Sequence, residues 1–90
     1  MLIVAYDITD DKLRTRFSKF LSRFGYRLQY SVFQIKNSKR VIEIIEAEIA
    51  GRFEKQFCQS DSVMIFKMSK QCTITKYGFA KNEDDDLLVL

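Results

Sequence analysis

The sequence predicts an α+β domain in which two helices pack on one face of a mainly antiparallel sheet. Apolar residues recur at helical spacing in residues 13–24 and 41–53, and a run of strand-forming residues precedes each segment. Of the 90 residues, 47% are apolar, which is typical of a folded core. A chain of this length forms one domain and buries about 60–65% of its unfolded surface, so we expect self-association to add stability.

The first strand and the first helix are predicted from residues 2–24. Residues 2–8, LIVAYDI, form an apolar run typical of a central strand. Thr9 or Asp10 can cap the helix that follows, because their side-chain oxygens accept hydrogen bonds from the first turn. Gly25 is expected to end this helix. The apolar face of the helix consists of Leu13, Phe17, Phe20, Leu21 and Phe24.

The middle of the chain predicts a strand region and a second helix. Residues 26–35, YRLQYSVFQI, are rich in strand formers but do not alternate cleanly, which indicates a kinked strand or two short strands. Ser38 can cap a second amphipathic helix over residues 41–53, VIEIIEAEIAGRF. The inward-facing residues of this helix are Ile42, Ile45, Ile49 and Phe53.

Two further strands complete the predicted domain. Residues 62–69 read as a buried strand, and residues 72–79 alternate apolar and polar side chains. The resulting order of elements is that of a ferredoxin-like βαββαβ sandwich with an additional C-terminal strand. We expect residues 1–80 to form this domain. Residues 81–90 are expected to be an acidic spacer and a strand that adds to a partner's sheet edge.

Charge is distributed unevenly along the chain, whose formal net charge is +3. Residues 81–90, KNEDDDLLVL, contain one lysine and four acids, whereas the preceding 80 residues contain 14 basic and eight acidic residues. This asymmetry predicts an anionic partner for the basic body. The apolar end of the tail predicts contacts with a partner protein, unless the chain end simply frays. The tail residues concerned are Leu87, Leu88, Val89 and Leu90.

Residue types exclude several kinds of site. The chain has no histidine, so a zinc site would lack its usual ligands and catalysis would lack the commonest general base. Cys58 and Cys72 do not form a C-x-x-C pair, and we expect two reduced, partly buried thiols. The chain opens directly into a strand pattern and has no apolar stretch near 18 residues. These features predict a cytoplasmic protein with no membrane contact.

Asp7 interrupts the apolar run of the first strand, at the point where the chain enters the first helix. One interpretation is a helix-entry residue that accepts backbone hydrogen bonds. The other is a ligand of Mg²⁺ or Mn²⁺, because hard cations prefer carboxylate oxygens. One carboxylate per chain is a poor metal site. A two-fold dimer that brings two copies of Asp7 together would supply two carboxylates and favours the metal interpretation.

The first helix also carries a basic stripe, which consists of Lys12, Arg16, Lys19 and Arg23. No glutamate lies four residues further along to pair with any of them, and Arg14 and Arg27 add to the positive charge. Unpaired cations along one face indicate binding to a phosphate backbone, although an ordinary solvated face has the same pattern. Three aromatic residues are expected to pack in the protein rather than stack on bases: Tyr6, Tyr30 and Phe33.

Residues 6–35 resemble the N-terminal signature of the small CRISPR-associated adaptation proteins, the "Cas-two" family. The signature joins a strand ending in Tyr-Asp-Ile, a helix with arginines near its start, a glycine, and then Arg-x-Gln-x-Ser-Val-Phe. The remaining residues agree with the family in length and element order only. The matching positions in this chain are Tyr6, Asp7, Ile8, Arg14, Arg16, Gly25, Arg27, Gln29, Ser31, Val32 and Phe33.

The resemblance implies a homodimer at the centre of the spacer-acquisition complex, where it would support a DNA duplex and bridge CRISPR integrase subunits. It also implies a Mg²⁺-dependent endonuclease that acts on RNA or double-stranded DNA, with Asp7 and its copy binding the metal at the dimer two-fold axis. Arg14, Arg16 and Arg27 match the basic positions of the family's motif, and Ser31 and Phe33 match its "SVF" segment. The alternative function is a ferredoxin-like RNA-binding or regulatory module without catalysis.

Overall fold

The computed structural model describes residues 1–68 and 73–78. A π-helical turn, Ile49–Phe53, and a 3-10 turn, Glu54–Gln56, follow the second helix. The cysteine at position 72 and the predicted spacer and strand of residues 81–90 lie outside the described residues. The helices and strands are β1 (Leu2–Asp7), α1 (Asp11–Ser22), β2 (Gly25–Gln29), β3 (Val32–Ile35), α2 (Lys39–Glu48), β4 (Ser62–Lys67) and β5 (Thr73–Gly78).

The sheet has the strand order β2-β3-β1-β4-β5, and every neighbouring pair is antiparallel. The first four strands have the ferredoxin-like order, and β5 adds to the outer edge of β4. This confirms the predicted α+β fold and its additional strand. The central position of β1 is also confirmed, since Val4 pairs with Phe33 on one side and with Ile65 on the other.

The central strand divides its side chains between two environments. Leu2, Val4 and Tyr6 are buried in the core beneath the helices. Successive side chains of a strand point to opposite faces of the sheet. Ala5 and Asp7 therefore lie on the other face, which we call the open face. Two adjacent residues of the predicted motif, Tyr6 and Asp7, consequently point to opposite sides of the sheet.

Helix α1 begins as predicted but ends for a different reason. Asp10 caps it, because its Oδ2 accepts a hydrogen bond from Leu13 N at 2.8 Å. The helix ends at Ser22, so the prediction that Gly25 ends it is wrong. Gly25 begins β2, and a Cβ atom there would lie 2.0 Å from the Gln34 carbonyl oxygen. Glycine is therefore required for the close approach of β2 to β3.

The predicted second helix is not α-helical over its whole length. Helix α2 ends at Glu48, and the chain continues through the π-helical turn. Ile45, Ile49 and Phe53 are buried as predicted, and Ile42 packs against the core. The inward face thus continues while the helix type changes.

Residues 26–35 form two strands, as one of the two interpretations predicts. Strands β2 and β3 pair with a register shift between Arg27 and Gln29, so the region is both divided and irregular. Ser38 caps α2 by accepting a hydrogen bond from Val41 N, as predicted. None of the described helices is both long and apolar enough to cross a bilayer.

Candidate functional site

Asp7 ends the central strand with an exposed side chain. It pairs with Ser62 of β4, which also lies on the open face. No described residue donates a hydrogen bond to its carboxylate. The helix cap is Asp10, and the loop that leads to α1 is held by Asp61. The hydrogen bonds expected of a helix-entry residue are therefore made by other side chains.

Asp61 is a buried carboxylate that the sequence analysis missed. Its Oδ1 accepts a hydrogen bond from Thr9 N at 2.9 Å, and its Oδ2 accepts one from Cys58 N at 3.0 Å. Burial raises the pKa of Asp61, but these backbone donors outweigh burial and the pKa lies below its usual value. Asp61 therefore ties the loop after Asp7 to the start of β4. Thr9 is 52 residues away, so no local pattern could have predicted this contact.

A pocket of about 140 Å³ lies between α1 and the β2–β3 turn. It brings together three motif residues that are distant in sequence, Tyr6, Arg14 and Arg27. Because Tyr6 points into the core side of the sheet, the pocket and Asp7 are on opposite faces. The complete lining is Tyr6, Arg14, Thr15, Ser18, Arg27 and Tyr30.

Arg14 is held in place and paired with an acid. Its Nη1 donates a hydrogen bond to the Ile8 carbonyl oxygen at 3.0 Å, and its Nη2 forms an ion pair with Asp11. The prediction that Arg14 belongs to a set of unpaired cations is therefore wrong. The acid lies three residues before it on the same helix, a spacing at which side chains meet.

Arg27 keeps its positive charge. Its Nη1 donates a hydrogen bond to the Tyr30 carbonyl oxygen at 3.2 Å, and its guanidinium carbon lies 5.2 Å from the Phe33 ring centroid. In residues 1–68 and 73–78 no acid forms an ion pair with it. The hydrogen bond and the ring fix the guanidinium without neutralising it.

Of the three aromatic residues expected to pack, Tyr6 and Phe33 are buried and Tyr30 is not. The Tyr6 ring lies 5.0 Å from Phe17 and 6.2 Å from Phe33, measured between ring centroids. Burial raises the pKa of Tyr6, although Arg27 and Arg14 oppose the shift, so its hydroxyl is neutral at pH 7. Tyr30 is 68% exposed, and the prediction that it packs is wrong. Ser31 contacts Tyr6 through its carbonyl oxygen, which accepts a hydrogen bond from Tyr6 N at 3.0 Å.

The basic stripe of α1 is exposed along its length. Arg16 donates a hydrogen bond to Gln56 Oε1 at 2.9 Å, so it is anchored by a neutral partner. Within the described ranges, no stripe residue forms an ion pair, as the sequence predicts. The stripe residues Lys12, Arg16, Lys19 and Arg23 therefore retain their charge at the surface.

The open face of the sheet is mostly apolar. Its central positions are half-buried, and no described helix covers them. Tyr26, at the β2 edge of this face, is 58% exposed. Asp7 lies at one end of the face. The apolar residues that cross-strand pairing places there are Ile3, Ala5, Val32, Met64, Phe66 and Ile74.

The structure also shows the environment of Cys58 and of the residues that could bind a metal ion. Cys58 is exposed, so the prediction that it is partly buried is wrong. In the part of the chain that the structure describes, no three His, Cys, Asp or Glu residues cluster in a way that could hold a metal ion. Among the described residues, Asp7 therefore belongs to no cluster of three such ligands.

Comparison with known proteins identifies the family. Residues 1–75 match the family model described as CRISPR associated protein Cas2. The chain is 34% identical over 80 residues to CRISPR-associated endoribonuclease Cas2 2 of Methanospirillum hungatei, and the match covers 86% of this chain and 84% of the relative. It is 31% identical over 77 residues to CRISPR-associated endoribonuclease Cas2 of Mycobacterium tuberculosis, with 86% of this chain and 65% of the relative covered. The chain thus spans slightly less than two thirds of the Mycobacterium protein.

A solved structure supports the same assignment at the level of the fold. The crystal structure of a hypothetical protein from Thermus thermophilus matches with a TM-score of 0.65 and 27% sequence identity. The match covers 82% of this chain and 87% of the Thermus chain. Together with the family match over most of the sequence, these comparisons show that the chain belongs to the CRISPR-associated Cas2 family.

Proposed function

We propose that the protein is a homodimeric, nucleic-acid-binding endonuclease of the CRISPR system, and that two copies pair through the open face. The observation that carries this proposal is the position of Asp7 at the end of an apolar sheet face that no described helix covers. Burial of such a face stabilises a small domain. A two-fold axis that runs along β1 keeps the two copies of Asp7 at the same end.

The paired Asp7 carboxylates suit a hard divalent ion. Two facing sheets lie about 10 Å apart. In such a dimer, the carboxylates of the two copies of Asp7 would hold one Mg²⁺ or Mn²⁺ between them. The bound ion would polarise a phosphodiester and activate water. Asp7 is free to ligate, because no described residue hydrogen-bonds its carboxylate.

The basic side chains hold the substrate in this proposal. The stripe and Arg27 carry positive charge that no described acid neutralises. Such cations bind a phosphate backbone without reading its sequence. The substrate is therefore a nucleic-acid backbone, either double-stranded DNA or RNA.

The proposed cellular role is supported by the family only at the level of a CRISPR-associated function. The matched relatives of Methanospirillum and Mycobacterium are named CRISPR-associated endoribonucleases, which supports phosphodiester cleavage by this chain. As the wider role we propose spacer acquisition, in which the dimer supports a DNA duplex and contacts CRISPR integrase subunits. Residues 87–90 are the proposed contact with a partner.

The proposal is tested by replacing Asp7 with Asn, which keeps the shape of the side chain and removes its charge. We expect cleavage of RNA and duplex DNA to stop in Asp7→Asn protein, and in wild-type protein treated with a chelator. The control is Glu43→Gln, which removes an exposed carboxylate from α2. Undiminished cleavage by Asp7→Asn protein would show that this residue is not catalytic. Spacer acquisition measured with the same variant separates the nuclease from the scaffold role.

A further inference from the structure

The last described strand ends close to the basic stripe. Strand β5 ends at Gly78, whose N–H donates a hydrogen bond to Glu54 Oε2 at 2.8 Å. Two residues further along the chain, Gln56 Oε1 accepts a hydrogen bond from Arg16 of the stripe at 2.9 Å. The 3-10 turn Glu54–Gln56 therefore contacts both the end of β5 and the stripe.

The end of β5 is held tightly at this position. Gly78 has a φ of 86°, and a Cβ atom there would lie 2.6 Å from the Asp61 carbonyl oxygen, so the position requires glycine. Gly78 pairs with Ser62, and Ser62 pairs with Asp7. The end of β5 thus lies two strand spacings, about 10 Å, from the strand end that leads into α1.

Four acids follow Gly78 within reach of the stripe. Residues 83–86 are EDDD, and the first of them comes five residues after Gly78. Five extended residues span at most about 17 Å, which exceeds the roughly 10 Å between the ends of β5 and β1. The lengths also agree, because four extended residues span about 10 Å and so do the two helical turns from Lys12 to Lys19.

The charges of the two segments are complementary. The stripe carries four exposed cations, and none of them forms an ion pair with an acid of the described residues. Residues 83–86 carry four acids. Exposed ion pairs are individually weak and are screened by salt. A short tether offsets this weakness, since it keeps the two segments at a millimolar effective concentration.

We propose that residues 83–86 dock on the basic stripe of the same chain and compete with nucleic acid for it. The contact is autoinhibitory, because a phosphate backbone must displace the acids before it reaches the cations. This inference rests on the proposed nucleic-acid binding and adds an internal competitor to it. If the acids occupy the stripe about two thirds of the time, the apparent affinity for a duplex falls about threefold.

The contact is tested on the full-length protein without nucleic acid. A carbodiimide joins a carboxylate to an amine that lies against it, and mass spectrometry identifies the joined residues. We expect residues 83–86 to be joined to Lys12 or Lys19 at low salt. Lys39, an exposed lysine at the start of α2, is the internal control and should react less. The products should disappear at 1 M salt, where the screening length is about 3 Å.

Isotope labelling separates a contact within one chain from a contact between chains. Protein labelled with ¹⁵N is mixed with unlabelled protein before the reaction. We expect each joined pair of peptides to carry one label only. Pairs that mix the two labels in proportion to the chains present would show that the acids dock on another copy, which would overturn the proposed contact.

Competition is tested with a neutral tail, in which residue 83 becomes Gln and residues 84–86 become Asn. This variant should bind a fluorescent duplex about threefold more tightly at low salt, and equally well at high salt. The control combines the neutral tail with replacement of the four stripe residues by Gln. The neutral tail should give no gain there, because the surface on which the acids dock is gone.

The outcomes distinguish this inference from the proposed function. No joining of residues 83–86 to the stripe would overturn the contact. A gain in affinity that is equal with and without the stripe would overturn competition, since it reflects net charge alone. If neither wild type nor the neutral-tail variant bound a duplex while the joined peptides formed, the proposed nucleic-acid binding would fail and the competition with it, whereas the docking itself would stand.

Discussion

Asp61 illustrates how one buried carboxylate can position a site to which it contributes no ligand. It is 1% exposed, and both of its oxygens accept backbone hydrogen bonds. One donor is Thr9, two residues after Asp7, and the other is Cys58. A buried charge is tolerated only when it is paired or hydrogen-bonded, as it is here. The loop after Asp7 is thus held by Asp61, which lies 52 positions after Thr9 in the sequence.

Replacement of Asp61 by Ala should lower the free energy of unfolding by about 1–3 kcal/mol at pH 7, because it leaves the N–H groups of Thr9 and Cys58 without acceptors. The folded pKa of Asp61 is below its unfolded value of 3.8. Its stabilisation is therefore fully present above that pH and is lost as the pH falls through the folded pKa. Urea unfolding at pH 7 and pH 3 measures the effect.

The matched control for this prediction is Glu43→Gln, which removes an exposed carboxylate and should unfold as wild type does at pH 7. The difference in stability between Asp61→Ala and wild type should shrink at pH 3. A difference that stayed constant from pH 7 to pH 3 would mean that the charge of Asp61 is not what stabilises the loop.

Secondary-structure elements could be predicted from the sequence where local periodicity determines them. The apolar face of α1 and the central strand β1 are examples, because the spacing of Leu13 and Phe17 and the run of residues 2–8 are local signals. The role of Gly25 could not be predicted, since it depends on the carbonyl of Gln34 in another strand. The change to a π-helical turn at Ile49 could not be predicted either, because the spacing of the apolar residues stays the same across it.

Gly25 and Gly51 make a contrasting pair for substitution by Ala. A Cβ atom at Gly25 would meet the Gln34 carbonyl oxygen at 2.0 Å, so β2 and β3 must separate. We expect Gly25→Ala to lower the free energy of unfolding by about 1–3 kcal/mol. A Cβ atom at Gly51 meets nothing within 4 Å, and Gly51→Ala should raise stability by about 0.5–1 kcal/mol. Thermal unfolding of both variants measures these changes. Equal changes in stability for the two variants would contradict the prediction.

The basic stripe of α1 should act as a unit in duplex binding. Reversing the charge of Arg16, Lys19 and Arg23 should weaken binding equally for all sequences. It should also reduce the log–log salt dependence by about 0.9 for each lost phosphate contact. Folding should survive, because these side chains are exposed. Titrations of fluorescent duplexes from low to high salt measure the slope.

The comparison for the stripe is the double reversal of Lys39 and Arg40, two exposed cations of α2. This variant should keep the wild-type salt slope if the nucleic acid follows α1. Equal loss of binding from both charge reversals would mean that the protein attracts nucleic acid through its general positive charge and not through the stripe.

Residues that are neighbours in the sequence motif lie on two different faces of the sheet. Tyr6, Arg14 and Arg27 meet on the helix-covered side, and Asp7 points to the open face. The sequence places these residues in one signature but gives no sign of this separation, since it arises from strand alternation and from the turn between β2 and β3. Within one chain, the pocket and the Asp7 side chain therefore lie on different faces, although Arg14 donates a hydrogen bond to the carbonyl oxygen of Ile8, the residue after Asp7.

In the proposed dimer the open face forms the interface, and Ala5 lies at its centre between Val32 and Met64. Ala5→Glu would place a charge inside the interface at a cost of several kcal/mol, so the dimer dissociation constant should rise about 100-fold or more. Cleavage should fall with the dimer, because each Asp7 loses its copy.

Thr73→Glu, an exposed residue on the other face of the same sheet, is the control. Sedimentation equilibrium gives the association state, and circular dichroism verifies the fold. A folded Ala5→Glu variant that remained dimeric would place the interface elsewhere, and cleavage by a folded monomer would show that paired Asp7 residues are not required.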